Sequence, residues 1–261
     1  MHLLQALVLS IIEGITEFLP ISSTAHLILT AHLLQIQPSS FLTTFEIAIQ
    51  LGAISAVVLL YFKKLITQKS LFLKACIGFI PTGILGFLFY DGIKQLFGNP
   101  LVPVVSLFLG GIAIIGIEKL FSKRNINNSE DQMKKIEQLT YKDALFIGLM
   151  QSISMIPGVS RAASSTFGGL ALKFDRRAAV EFSFILAIPT MLAATALDIL
   201  ESASSLSPYN VFILCFGILV SFISAFFVIK WLIGYVQKND FTLFGIYRII
   251  LSIAYYLLFL R

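Results

Sequence analysis

Six runs of about 20 mainly apolar residues, at 41–62, 71–91, 100–121, 178–200, 209–230 and 241–260, decide what this chain can become. Each is long enough to cross a hydrocarbon core of about 30 Å as a helix. Lipid offers no hydrogen bonds, so a segment that spans it must pair its own backbone, and runs of this length do so as helices. Charged residues make up only 13% of the chain and apolar residues 57%. Water-soluble domains usually carry about 25% charge, so a soluble fold is excluded, and so is disorder. The start of the chain lacks the basic region of a secretory signal, and its first apolar run carries Glu13 and Glu17. Cys76 and Cys215 sit in separate apolar runs, where they are expected to pack as small hydrophobes.

Loop charge orients the spans. Residues 63–74 carry Lys63, Lys64, Lys69 and Lys74, and residues 119–142 carry six Lys or Arg. Residues 173–177 carry Lys173, Arg176 and Arg177, and residues 230–240 carry Lys230 and Lys238. Residues 31–44 and 201–208 carry none, and 92–99 only Lys94. Rich and poor loops alternate as six crossings require, which puts the rich ones in the cytoplasm. The net charge of +5 is therefore read as positive-inside loop charge and not as a nucleic-acid surface.

Two further apolar stretches fail as ordinary spans. Residues 3–33 are interrupted by Leu19-Pro20-Ile21-Ser22-Ser23-Thr24-Ala25-His26, and 144–172 by Pro157-Gly158-Val159-Ser160-Arg161. Proline removes an amide donor and strains the preceding turn, so each stretch should break. A shift of 138 places Ala6-Leu7 on Ala144-Leu145, Glu13 on Gln151, Ile15 on Ile153 and Ser22 on Ser160. Three spans, an odd number, separate the two stretches, so the halves should be upside down relative to one another. The expected fold is an all-α integral membrane protein. It has six transmembrane helices and two re-entrant helix-loop-helix pairs in an inverted-topology repeat. The first repeat covers 1–121, a cytoplasmic loop 122–142, and the second repeat 143–261. The two breaks should line one site, because irregular backbone at that depth is tolerated only inside protein or beside a watery cavity.

The breaks carry the chemistry. Glu13 and Glu17, at i and i+4, share a helix face. Two carboxylates so close need a shared proton, an arginine or a hard divalent cation. Ser22, Ser23, Thr24 and His26 follow; at least one of the hydroxyls should cap the return helix. Arg161, beside Ser160, is the only Lys or Arg inside either broken stretch, and it needs an acid or an anionic ligand. A structural ion pair with Glu17 is the plainer alternative. Helix N-termini and a guanidinium fork suit phosphate. Glu13 and Glu17 suit Mg²⁺ or Ca²⁺. Ser23 and His26 supply a hydroxyl and a proton shuttle. Together these groups point to phosphoryl transfer on a lipid-linked phosphate. A transporter or flippase for a lipid phosphate or small anion would share the broken helices and the anion cradle.

At these residues the sequence resembles the undecaprenyl-diphosphate phosphatases, the bacitracin-resistance proteins of bacteria. The resemblance rests on Glu13-Gly14-Ile15-Thr16-Glu17-Phe18-Leu19-Pro20-Ile21-Ser22-Ser23-Thr24-Ala25-His26 and on Pro157-Gly158-Val159-Ser160-Arg161. The stretches 45–61 and 176–189 extend it essentially end to end. It implies hydrolysis of undecaprenyl diphosphate to the monophosphate and inorganic phosphate, which recycles the cell-wall lipid carrier. It puts Glu13 and Glu17 in acidic, metal-associated positions, Ser23 in that of the nucleophile and His26 in that of its acid/base partner. Ser160 and Arg161, with Ser22, Thr24 and Ser165, fall in phosphate-binding positions. The family's second motif usually continues Ser-Arg-Ser-Gly-x-Thr. Here the serine after the arginine is Ala162, and Ser165 stands at the threonine position. The resemblance also implies a multi-pass protein of the bacterial inner (plasma) membrane, its site facing the extracytoplasmic side. Its partner would be a polyprenyl diphosphate lipid and no nucleic acid. A homodimer is compatible with the sequence.

Overall fold

The computed structural model describes residues 1–97, 99, 101–125, 133–202 and 207–260. Its helices are α1 (Leu3–Thr16), α2 (Ser23–Leu33), α3 (Ser40–Thr67), α4 (Lys69–Leu88), α5 (Tyr90–Phe97) and α6 (Leu101–Asn125). They continue as α7 (Tyr141–Gln151), α8 (Arg161–Ala171), α9 (Arg176–Ser202), α10 (Pro208–Tyr235) and α11 (Thr242–Tyr255). Six of them, α3, α4, α6, α9, α10 and α11, are long and apolar enough to cross a membrane. These are the six runs read from the sequence. The chain is therefore an all-helical, multi-pass membrane protein; among the described residues strand pairing is confined to one isolated bridge, Lys134 to Phe174.

The differences lie at the ends. The α3 and α10 helices run on to Thr67 and Tyr235: Lys63, Lys64 and Lys230 stay helical, with the Lys64 ammonium paired to Glu181 and that of Lys230 over the Phe226 ring. The apolar run at 71–91 ends early. Its helix stops at Leu88, and Tyr90–Phe97 forms the separate helix α5. Ser39 and Ser207 cap α3 and α10 by accepting from the amides of Leu42 (3.1 Å) and Asn210 (3.2 Å). Part of the polar connection 122–142 and of the loop 201–208 lies outside the described residues. Cys76 and Cys215 are both free; Cys76 is half-buried, whereas Cys215 is exposed on α10.

At the centre stands α9, with 72% of its apolar window buried against 39% or less for the other five spans. Two helices cross between the halves. The α10 helix packs on α1 and α3, while α4 packs on α7 and α9; α6 pairs with α11. The crossing of α4 over α7 is close: a Cβ on Gly78 would sit 2.9 Å from the Ala144 carbonyl oxygen.

Both broken stretches break where proline predicts. Residues 17–22 separate α1 from α2. A 3-10 turn, Ser152–Met155, and the segment 156–160 separate α7 from α8. Four non-glycine residues have positive φ among the described residues, and they form two pairs 138 positions apart: Ser22 (70°) with Ser160 (77°), and Gln35 (51°) with Lys173 (67°). The α2 and α8 helices are each 11 residues long. The register found in the sequence is thus repeated in the backbone, down to the left-handed residue at each end of the return helix.

Candidate active site

The two breaks lie side by side. The Arg161 side chain, at the start of α8, donates from Nη2 to Glu17 Oε1 at 2.8 Å, and the pair is largely buried. The Ser160 hydroxyl reaches the Leu19 carbonyl at 3.5 Å. Glu17 caps the C-terminal end of α1, and its other oxygen accepts a hydrogen bond from the Ser23 hydroxyl. One carboxylate therefore joins a guanidinium from the second break to a hydroxyl from the first.

The capping work falls to Ser22 and Ser160. Their hydroxyls accept from the amides of Ala25 (3.4 Å) and Ala163 (3.2 Å), three residues on in each case. This leaves Ser23, in the first turn of α2, free to meet Glu17. Thr24 is half-buried beside it.

The Glu13 side chain lies one turn below Glu17, wholly buried, and neither carboxylate oxygen has a hydrogen-bond partner. Its counterpart 138 residues on is Gln151. That amide donates to Thr82 (3.2 Å) and Thr190 (3.0 Å). The second half thus satisfies with neutral groups a position that the first half fills with an unsatisfied acid. A buried ionised carboxylate without a donor is costly, so Glu13 calls for a proton or a cation. Its two oxygens are the hard donors that Mg²⁺ or Ca²⁺ prefers. Both oxygens of Glu17 are already engaged, and among the described residues no cluster of three or more His, Cys, Asp or Glu could close around a metal. An ion here would therefore have Glu13 as its main protein ligand, and a proton on Glu13 would meet the same need without one.

Arg161 spends two more contacts on α9. Its Nη1 donates to the Ser183 carbonyl at 3.1 Å, and the Met191 sulfur lies 3.9 Å from Nη2. The Phe18 ring packs 5.5 Å from the guanidinium carbon. The buried Nε has no partner and remains available as a donor. Behind it, the Ser165 hydroxyl donates to the Arg161 carbonyl (2.8 Å) and lies 2.6 Å from the Ser183 hydroxyl. Ser165 is thus turned toward the backbone that carries Arg161.

His26 is buried and does not bond Ser23. Its Nδ1 lies 2.7 Å from the Ser22 carbonyl, and its Nε2 lies 2.8 Å from the Tyr247 hydroxyl on α11. A carbonyl can only accept, so Nδ1 carries a proton, and Nε2 shares its hydrogen bond with the Tyr247 hydroxyl, which can donate to it when the ring is neutral. The two rings stack, 9° from parallel.

With this geometry in place, comparison with known proteins is decisive. Residues 6–254 match the family model described as bacitracin resistance protein BacA. The chain belongs to that family. Three similar relatives of the bacitracin resistance family are each named undecaprenyl-diphosphatase. That of Aquifex aeolicus is 47% identical over 98% of both chains. That of Sulfurihydrogenibium sp. is 49% identical over 98% of this chain and 99% of its own. That of Wolinella succinogenes is 44% identical over 98% and 97%.

Sequence reasoning missed one residue that organises the site in this member of the bacitracin resistance family. Arg248, on α11, is wholly buried. Its five N–H groups find five carbonyls: Leu107 (3.3 Å), Ser106 (3.0 Å), Pro20 (3.1 Å), Gly158 (2.8 Å) and Val159 (3.1 Å). A guanidinium has five donors, and here all are used. Three of the carbonyls belong to the two breaks, so a single side chain fastens them together. Gly158 has φ +95°, and a Cβ there would meet the Pro103 carbonyl at 2.6 Å, so only glycine brings this carbonyl within reach. The signal was present, since Arg248 is the lone charge in the run 241–260 and a charge within a span marks a functional position. Tyr247 carried no such signal.

Proposed function

We propose that this membrane protein hydrolyses undecaprenyl diphosphate to undecaprenyl phosphate and inorganic phosphate. Its family and the names of its relatives support the reaction. The carrying observation is the shared carboxylate: the Ser23 hydroxyl donates to Glu17, and Arg161, with an unpaired Nε, closes on the same group.

Arg161 Nε–H and the free amides of the first turn of α8 bind the terminal phosphate. Ser23 Oγ attacks the terminal phosphorus in line, and its proton passes to Glu17. The bond from that phosphorus to the bridging oxygen breaks, and undecaprenyl phosphate leaves. The water that then cleaves the phosphoserine gives its proton to the Tyr247 hydroxyl as that hydroxyl passes its own to His26 Nε2, and His26, held by Ser22, releases the proton to the departing phosphate. Inorganic phosphate departs, and Glu17 returns its proton to Ser23. Glu13 would be the main protein ligand of a Mg²⁺ or Ca²⁺ ion. When bound, such an ion offsets the charge that gathers on the diphosphate oxygens.

We assign the two broken stretches as re-entrant pairs of an inverted repeat. The shared 138-residue register and the alternating loop charges support this. The site is assigned to the extracytoplasmic side of the bacterial inner membrane. Transport without hydrolysis is disfavoured: translocation needs no hydroxyl held against a carboxylate, and the relatives are named for hydrolysis.

The test is phosphate release from a prenyl diphosphate in detergent, with and without chelator, for the wild type and Arg161→Ala. Release by the wild type and its loss in the variant are expected. Equal release by both would refute the reading. Trapping a phosphoserine at Ser23 in single turnover separates covalent catalysis from direct attack by water.

A further inference from the structure

The Lys/Arg-rich end of the bundle holds a cavity of about 540 Å³ between α3, α9 and α10. Its polar lining includes Lys63, Lys64, Arg177 and Lys230 against a single acid, Glu181. Glu181 is buried and already shared by Lys64 (2.7 Å) and Arg177 (2.8 Å). Lys63 and Lys230 have no carboxylate within ion-pair distance among the described residues; Lys230 lies 4.4 Å over the Phe226 ring. The cavity thus holds a positive excess that its own residues do not neutralise.

Its remaining walls are apolar: Leu60, Ile229 and Ile233. The outer faces of the same helices expose Phe62, Ile66 and Phe227, as lipid-facing surfaces do. Trp231, the only tryptophan in the chain, is 52% exposed next to Lys230. Tryptophan gathers at the level of lipid headgroups, which sets the depth of the cavity. An anion drawn there by Lys63 and Lys230 lies against Leu60, Ile229 and Ile233, next to the apolar outer faces of α3 and α10.

The candidate active site does not account for this cavity. No residue of that site lines it; Tyr61 in its lining meets the Phe184 ring at 6.4 Å, Phe184 meets Phe18 at 5.2 Å, and Phe18 meets the Arg161 guanidinium at 5.5 Å, so three aromatic rings link the two places.

We propose that this cavity is a second lipid site, which binds the phosphate headgroup of a membrane lipid with the lipid's chain along the exposed apolar faces of α3 and α10. Two lipids offer this chemistry: an anionic phospholipid and a prenyl monophosphate.

The experiment is native mass spectrometry of the full chain in detergent, titrated separately with phosphatidylglycerol, farnesyl phosphate and inorganic phosphate. The wild type, Lys63→Gln/Lys230→Gln and Lys63→Arg/Lys230→Arg are compared. The glutamine pair should bind at least one of the two lipids about tenfold more weakly or worse, and the arginine pair should bind it as the wild type does. The lipid that loses affinity names the source. Phosphate release by the glutamine pair should stay within about twofold of the wild type, which reports an intact fold and an unaltered catalytic centre. Equal binding of both lipids by the wild type and the glutamine pair would overturn the proposal. So would inorganic phosphate binding as tightly as the lipids, since the apolar faces of α3 and α10 would then contribute nothing.

Discussion

Glu17 and Arg161, 144 positions apart in the chain, meet at 2.8 Å where the two breaks touch. The guanidinium is 11% exposed and the carboxylate 8%, so water screens the pair poorly. Together with the Arg248 contacts it joins the two breaks into one site, and it makes Arg161 structural as well as chemical.

Arg161→Ala should therefore lose both activity and stability. Phosphate release should fall by about 100-fold or more. Leaving Glu17 without its ion-pair partner should cost about 3–5 kcal/mol, seen as a lower unfolding temperature in detergent. Adding Glu17→Gln should restore much of the stability and none of the activity. A single variant as stable as the wild type would show that Glu17 does not need the arginine.

Glu13 should behave in the opposite way. Its oxygens have no protein donor, so Glu13→Gln removes an unsatisfied charge and should leave thermal stability unchanged or raised. Phosphate release and its response to added Mg²⁺ or Ca²⁺ should both drop. An unchanged metal titration would remove Glu13 from the ligand set.

Arg248→Lys keeps the charge but offers three donors to five carbonyls. At least two buried carbonyls lose their partner, at about 1–3 kcal/mol each. Unfolding temperature and phosphate release should fall together, and added metal should rescue neither. Wild-type stability in this variant would mean that the breaks hold together without the guanidinium.

Tyr247→Phe deletes only the hydroxyl that meets His26 Nε2. A drop of about tenfold in kcat is expected, the equivalent of one hydrogen bond of about 1.4 kcal/mol. KM should change little. A wild-type kcat would free His26 from any dependence on Tyr247.

The spans were legible because lipid imposes a length and a polarity that no other environment demands, and 41–62 or 209–230 meets both within a few residues. The breaks were legible because Pro20 and Pro157 cannot donate. The direction of a hydroxyl was not. Ser22, Ser23 and Ser165 look alike in a sequence, yet one caps, one meets Glu17 and one turns back on the Arg161 carbonyl. His26 was expected beside Ser23, but its partner came from Tyr247, 221 residues away. Arg248 escaped because its partners are backbone carbonyls, which every residue possesses and no motif records. Neighbouring arginines in a sequence do not show which acid each one takes: Glu181 follows Arg176 by five residues and Arg177 by four. It takes Arg177 (2.8 Å), while Arg176 reaches across to Glu118.

The exchange of α4 and α10 between the halves has a consequence for how the protein is made. During synthesis α1 and α3 emerge early, but the helix that covers them starts only at Pro208. Until the ribosome has delivered it, the first half waits in the bilayer with an open flank. A nascent chain stopped after α6 would hold the proposed nucleophile and both acids, yet have nothing to close around them.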